Sequence, residues 1–325
     1  MSERALAALL VAGLAAFPAR AEPTLAIVPL PFAATELRGS GSEVAVAVGT
    51  DGEARDAGIA RDATLAVAWG EAGAAALVAG DPVKAVALPA STVEGALMAE
   101  TPRNAPAGAR RVRRGPLSAQ LSADGAVVIA ERQPVARSAE PKPVPVATAR
   151  VEAGPGAAFA GDPVLAEIDG RPLVLAVRTG GAGAALAVIG RQGGVGEAGA
   201  WRVLAETPAA AGAQPEAAPV PDGRLIALSR GDALQLWSFE RGALTLRREV
   251  AGFGPGAAVE LDGGAVLAVP SADRASLAIL GADGLEERGR VALPAPAAGV
   301  AALGRGRAAR VLVRLADGRV AAVKP

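Results

Sequence analysis

Short apolar runs recur along this chain at a nearly constant interval, and that repetition limits its fold more than any other feature. Runs centred on Val127, Val174, Ile226, Val266 and Leu312 lie 40 to 52 residues apart. The letters GPGAA open at both Gly154 and Gly254. An acidic pair and a glycine turn follow each: Glu167 and Asp169 before Gly170, Glu260 and Asp262 before Gly263. In the four later units a second run follows, at Ala185 to Ile189, Ala233 to Phe239, Ser276 to Leu280 and Arg319 to Val323. Three units add a third run, at Trp201 to Ala205, Leu244 to Val250 and Glu286 to Leu293. A short fourth run leads into the next unit, as at Ala257 to Leu261 and Gly299 to Leu303. Four strand-length runs per ~45 residues is the spacing of β-propeller blades.

The runs lack apolar/polar alternation; Leu173-Val174-Leu175-Ala176-Val177 is typical. That pattern suits strands covered on both faces, as blades are by their neighbours. Gly and Pro recur too often for helices of normal length. The expected fold is therefore all-β, a propeller of six or seven four-stranded blades over residues 43–325. Val93 to Met98 reads as one more strand. Val44 to Val48 is expected to complete the last blade and close the ring. The alternative is two β-sandwich domains divided at Gln133 to Val146, whose prolines at 134, 141, 143 and 145 exclude a central strand. That segment is either an internal connection or a linker.

Met1 to Ala21 carries a positive start at Arg4, an apolar core from Ala5 to Ala16, and a small-x-small ending at Ala19-Arg20-Ala21. This is the order of a secretory signal peptide, cleaved after Ala21. The expected address is periplasmic or secreted. Residues 22–42, rich in proline and ending in Gly39-Ser40-Gly41-Ser42, read as an extended lead-in. No later apolar run reaches the ~18 residues of a membrane span.

Composition narrows the chemistry. The chain has no Cys, no His and no Tyr. A thiol nucleophile, a thiolate metal site and the commonest general base are absent. With 33 basic against 33 acidic residues there is no basic excess for nucleic acid. Gly194 to Gly199 spells G-x-G-x-x-G, but the strand-like Trp201-Arg202-Val203-Leu204 follows where a dinucleotide site needs a helix. Ser138 and Lys142 are four apart in a proline-rich segment, which is not a Ser-x-x-Lys nucleophile. Arg110-Arg111-Val112-Arg113-Arg114 reads as a solvated basic edge that guards against strand pairing.

The second half, about residues 150 to 325, resembles the FG-GAP/VCBS-repeat propellers of bacteria. The resemblance rests on Ala166 to Val177, on Pro221 to Leu228 and Glu260 to Leu267, and on Phe253-Gly254 followed by Gly256-Ala257. It implies a propeller, an exported protein, a binding or scaffolding role, and calcium held in acidic loops of the Asp-x-Asp-Gly-Asp-Gly type. Here those loops are cut short: Glu167 and Asp169 run straight into Arg171-Pro172, and Glu260 and Asp262 into Gly263-Gly264. Calcium takes ~6–8 oxygens, so these acids read as turn formers.

The expected function is a non-enzymatic, monomeric propeller that binds a partner protein or envelope component through its loop faces. No catalytic, cofactor-binding or metal residue is assigned. The alternatives are an envelope hydrolase or lyase using channel carboxylates, and a calcium-stabilised ligand-binding propeller.

Overall fold

The computed structural model describes residues 22–50, 55–103, 105–134, 143–192, 199–221, 223 and 225–325. The expected signal peptide, Ser138 and Lys142, and residues 194–198 of the glycine-rich loop lie outside them.

Six four-stranded antiparallel sheets form the fold. Blade 1 comprises β2 (Glu36–Arg38), β3 (Leu65–Gly70), β4 (Gly73–Val78) and β5 (Lys84–Leu88). Blade 2 comprises β6 (Val112–Arg114), β7 (Leu117–Leu121), β8 (Val127–Arg132) and β9 (Val146–Val151). Blade 3 comprises β10 (Ala157–Ile168), β11 (Arg171–Gly180), β12 (Gly183–Arg191) and β13 (Trp201–Glu206). Blade 4 comprises β14 (Glu216–Pro219), β15 (Leu225–Arg230), β16 (Ala233–Glu240) and β17 (Ala243–Ala251). Blade 5 comprises β18 (Ala257–Leu261), β19 (Gly264–Pro270), β20 (Ser276–Gly281) and β21 (Glu287–Ala292). Blade 6 takes β22 (Ala297–Leu303), β23 (Arg310–Leu315) and β24 (Val320–Lys324) from the C-terminus and β1 (Thr24–Val28) from the N-terminus.

The all-β propeller expected from the repeat is the fold observed, with six blades. The later apolar runs fall on the second, third and fourth strands of blades 3 to 6, and the short fourth runs are the innermost strands of the following blades. Val127 departs from this scheme: it lies on β8, the third strand of blade 2, while Leu117 to Leu121 forms the second. Gln133 to Val146 joins β8 to β9 within one sheet, so it is an internal connection.

Three expectations are overturned. Val44 to Val48 is not a strand. It lies in helix α1 (Glu43–Thr50), whose start is capped by Ser42 Oγ accepting from the Ala45 N–H at 3.1 Å. Val93 to Met98 lies in helix α2 (Ala90–Glu100), which buries Val93, Ala96 and Glu100 along one face. Residues 22–42 are not outside the propeller. They supply β1, which pairs with β24 from Thr24↔Lys324 to Val28↔Val320, and β2, the innermost strand of blade 1. Proline is tolerated beside β1 because β1 is the outermost strand of its sheet.

Successive residues of a strand point to opposite faces, so each blade feeds two cores. Val311 and Val313 face blade 5, while Leu312 faces blade 1. Small residues meet large ones across these junctions; Ala66, Ala68 and Ala75 of blade 1 pack against Leu303 and Leu312 of blade 6. The contact between blades 1 and 2 is different. The outer face of blade 1 there, with Leu65, Val67, Ala74 and Ala76, is covered by Val44, Val48, Val93 and Ala96 from the two helices. The helices are tied to blade 2 by polar contacts: the Arg111 N–H donates to the Glu100 carbonyl at 2.8 Å, and Arg113 meets Glu43 at 3.2 Å.

Candidate functional site

The innermost strands β2, β6, β10, β14, β18 and β22 surround the axis, and a cavity of about 1100 Å³ opens there. Its walls belong to the end of the ring where each innermost strand turns into the second strand. The acidic turns of the sequence converge on that end. Glu167, Asp169 and Glu260 line the cavity together with Pro221 and Gly223.

The register explains why those turns are short. Ile168 pairs with Arg171 and Leu261 with Gly264, leaving two residues at each hairpin. Asp169 (φ 53°) and Gly170 (φ 68°) both adopt the left-handed conformation that such a turn demands. A two-residue hairpin has no backbone left to wrap a cation. Among the described residues no group of three or more acids is placed to hold a metal. Asp262 pairs outward with Arg307 at 3.3 Å. Asp222 lies outside the described residues.

The basic run Arg110 to Arg114 lies at the edge of its sheet, with Arg113 and Arg114 exposed, but that edge is the inner one, at the channel. It forms the lead-in to β6 and the innermost strand of blade 2, and all five of its residues line the cavity. Arg110 is clamped by Asp162: its Nε donates at 2.7 Å and its backbone N–H at 3.0 Å. Asp162 stands in a bulge of β10, where the register shifts between Ala160 and Val164. Bulges re-aim side chains in this way. Arg114 reaches Glu167 at 3.9 Å, with both side chains more than half exposed. Arg111 has no acidic partner among the described residues; its Nε donates to Gln120 Oε1 at 2.8 Å.

Two further groups complete the wall beside α1 and α2. The Arg38 guanidinium lies 5.7 Å from the centre of the Trp69 ring, and its Nε is buried without a hydrogen-bond partner. Burial, and then the nearby charge of Arg110, lower its pKa. Glu100 is 6% exposed. Burial pushes its carboxyl pKa up, against the Val44 backbone N–H and the charges of Arg110 and Arg38. On the blade 6 side, Arg305 is exposed on the rim. Among the described residues no aromatic side chain lines the cavity. With Val127 read as the first run of its unit, the innermost strand Val112–Arg114, two strands earlier, was missed.

No family model and no curated protein sequence matches the chain. Among solved structures it is similar to the β-propeller domain of Cps50 (Swd1) from Myceliophteria thermophila, at 9% identity and a TM-score of 0.56, over 93% of this chain and 99% of that one. BBS1N in complex with ARL6DN matches at 13% identity and a TM-score of 0.43, over 80% of this chain and 74% of that one. Chaetomium thermophilum Sqt1, bound to the N-terminus of the ribosomal protein L10, matches at 13% identity and a TM-score of 0.43, over 78% of this chain and 68% of that one. The first of these likenesses is one of fold; the other two superpose too loosely to argue from.

Proposed function

We propose that this chain is an exported, non-enzymatic, monomeric β-propeller of the FG-GAP/VCBS-repeat kind, which binds a partner in the cell envelope at its channel mouth. The observation that carries the reading is the 1100 Å³ axial cavity, walled by arginines and carboxylates that are mostly paired with one another. Such pairs give the mouth a fixed pattern of charge for a partner to meet. Export draws support from the ordered signal pattern in residues 1–21. Cleavage after Ala21 would leave β1, which begins at Thr24, whole and free to close the ring. The membership in the repeat family draws support from the blade period and the shared Asp-Gly turns. No helix among the described residues is long and apolar enough to cross a membrane.

Gly223 lines the cavity, and a Cβ there would meet nothing closer than 3.6 Å, so Gly223→Trp plugs the mouth without straining the ring. Capture from a native envelope fraction is the test. The partner is expected on wild-type protein and on Arg248→Gln at the outer strand β17, and lost from Gly223→Trp. Equal capture by all three contradicts the proposal.

A further inference from the structure

We infer that the outer edge of blade 2 is a second docking surface, which takes an extended, acid-bearing strand of a partner protein as a fifth strand beside β9. The inference goes beyond the channel mouth and does not depend on it.

The backbone of β9 carries the argument. The Gln133 N–H donates to the Pro145 carbonyl at 2.8 Å, and the register runs on unbroken from Arg132↔Val146 to Val127↔Val151. Opposed residues of an antiparallel pair alternate between bonded and non-bonded. Ala147, Ala149 and Val151 therefore turn their N–H and C=O groups to β8. Val146, Thr148 and Arg150 turn theirs outward, and β9 is the last strand of its sheet. Such a row is a template for another chain. The other outer strands are guarded against it. β13, β17 and β21 each carry a bulge, at Leu204, Arg247 and Arg288. β5 begins with Lys84, and β1 is five residues long between Pro23 and Pro29. β9 is unbulged, six residues long and free of lysine.

The surroundings name the occupant. Leu117, Ala119, Val127 and Ile129 face blade 3, so Val128 and Ala130 face the helices. These two are only half-buried and belong to none of the six apolar cores. Val144 and Val146, at the start of the edge, are 45% and 54% exposed. An added strand extends this open face, and a β-branched residue set opposite Thr148 covers Val146 diagonally. The charge calls for an acid. Arg132 stands beside Val146 on the same face, is exposed, and has no acidic partner among the described residues. A residue set opposite Val146 lies two strand spacings from Arg132, ~9–10 Å, which arginine and glutamate side chains span together. Arg150, at the other end of the edge, is already held by Asp124 and Glu152. The occupant is thus a strand whose β-branched residues alternate toward the helices, with an acid opposite Val146.

The test is fluorescence anisotropy with the labelled peptide TVTVTET. Paired antiparallel to β9, it sets its valines opposite Arg150 and Thr148 and its glutamate opposite Val146. Wild-type protein is expected to bind it saturably. It should bind TVTVTKT about twofold more weakly or less, as suits an exposed ion pair. The same peptide N-methylated at its two valines, which keeps the side chains and blocks the backbone bonds, should not bind. Thr148→Pro removes one outward N–H and leaves the bonds to β8 in place. It should weaken binding by about fivefold, the ~1 kcal/mol of one hydrogen bond. Val146→Lys, which puts a lysine on the edge, should weaken it as well. Arg132→Glu should reverse the preference between the two peptides. Circular dichroism checks that each variant is folded. The inference is overturned by the absence of saturable binding, by equal binding of the N-methylated peptide, by wild-type affinity in folded Thr148→Pro and Val146→Lys proteins, or by an unchanged preference in Arg132→Glu. A concentration-dependent dimer that Thr148→Pro dissolves would also overturn it, since the edge would then belong to a second copy.

Discussion

Five junctions of the ring are sheet against sheet, and one is sheet against helix. In the five, aliphatic side chains of neighbouring blades meet directly, as Leu173 and Leu175 of blade 3 meet Ile226 and Leu228 of blade 4. At the sixth, α1 and α2 cover blade 1, and blade 2 offers them Arg111 and Arg113. A blade whose neighbour is another blade needs apolar residues on both faces. Blade 2 needs them on one, and its free face carries polar side chains beside the channel. The irregular junction is thus where charged groups gather, and the regular ones supply the rigidity that holds them.

The comparison breaks most completely at ring closure. A chain starting at Pro29 lacks β1, leaves blade 6 with three strands and exposes Val320 and Ala322. Its melting temperature should fall by roughly 10 °C or more, read by circular dichroism. Next comes a paired core test. Leu312→Ala, fully buried between blades 6 and 1, should cost about 3 kcal/mol. Leu97→Ala, half-buried at the helical junction, should cost about 1 kcal/mol in the same urea titration. Equal costs would mean that the helical junction is packed as tightly as the others.

Two smaller effects follow the pH. Burial raises the Glu100 pKa in the fold, so its ionised form costs stability above the folded pKa, and the cost disappears as pH falls below the unfolded value of about 4. Glu100→Gln should therefore melt at or above the wild-type temperature at pH 7, with the difference vanishing near pH 3. Asp81 behaves in the opposite sense. A hydrogen bond from Lys324, then the charges of Lys324 and Arg310, hold its pKa below the ordinary value. That contact ties blade 1 to β24 and to the buried Arg310. Its stabilisation is present at neutral pH and is lost as pH falls through the folded pKa. Asp81→Asn should melt slightly below wild type at pH 7 and converge with it in acid.

Much of this fold is written in the sequence. β11, β15, β19 and β23 are continuous apolar runs because blades cover both of their faces, and their period alone yields a propeller. The open face of blade 2 is written there too: Leu117-Ser118-Ala119-Gln120-Leu121 alternates, where its counterparts do not. The helices were harder to see. In Val44-Ala45-Val46-Ala47-Val48 the β-branched residues favour a strand locally, and the Ser42 cap and the apolar face of blade 1 decide for a helix. In α2 the burial of Val93, Ala96 and Glu100 follows a helical period that Gly95 obscures. β1 was hidden by its prolines, since only pairing with β24, almost the whole chain away, makes it a strand. The site was legible as residue types but not as a place. The acidic turns and the arginine run lie far apart in sequence, and only closure of the ring brings them to one mouth.

Ring closure by β1 is the claim on which the rest depends, and a cysteine-free chain allows it to be tested by a single pair of introduced thiols. Ala26 and Ala322 are register partners in the closing sheet. The double variant Ala26→Cys/Ala322→Cys should oxidise to an intramolecular disulfide that migrates faster on a non-reducing gel and protects against urea. Val46→Cys/Ala322→Cys, the pair that closure by residues 44–48 would bring together, should stay reduced. A crosslink in the second pair and none in the first would contradict the account.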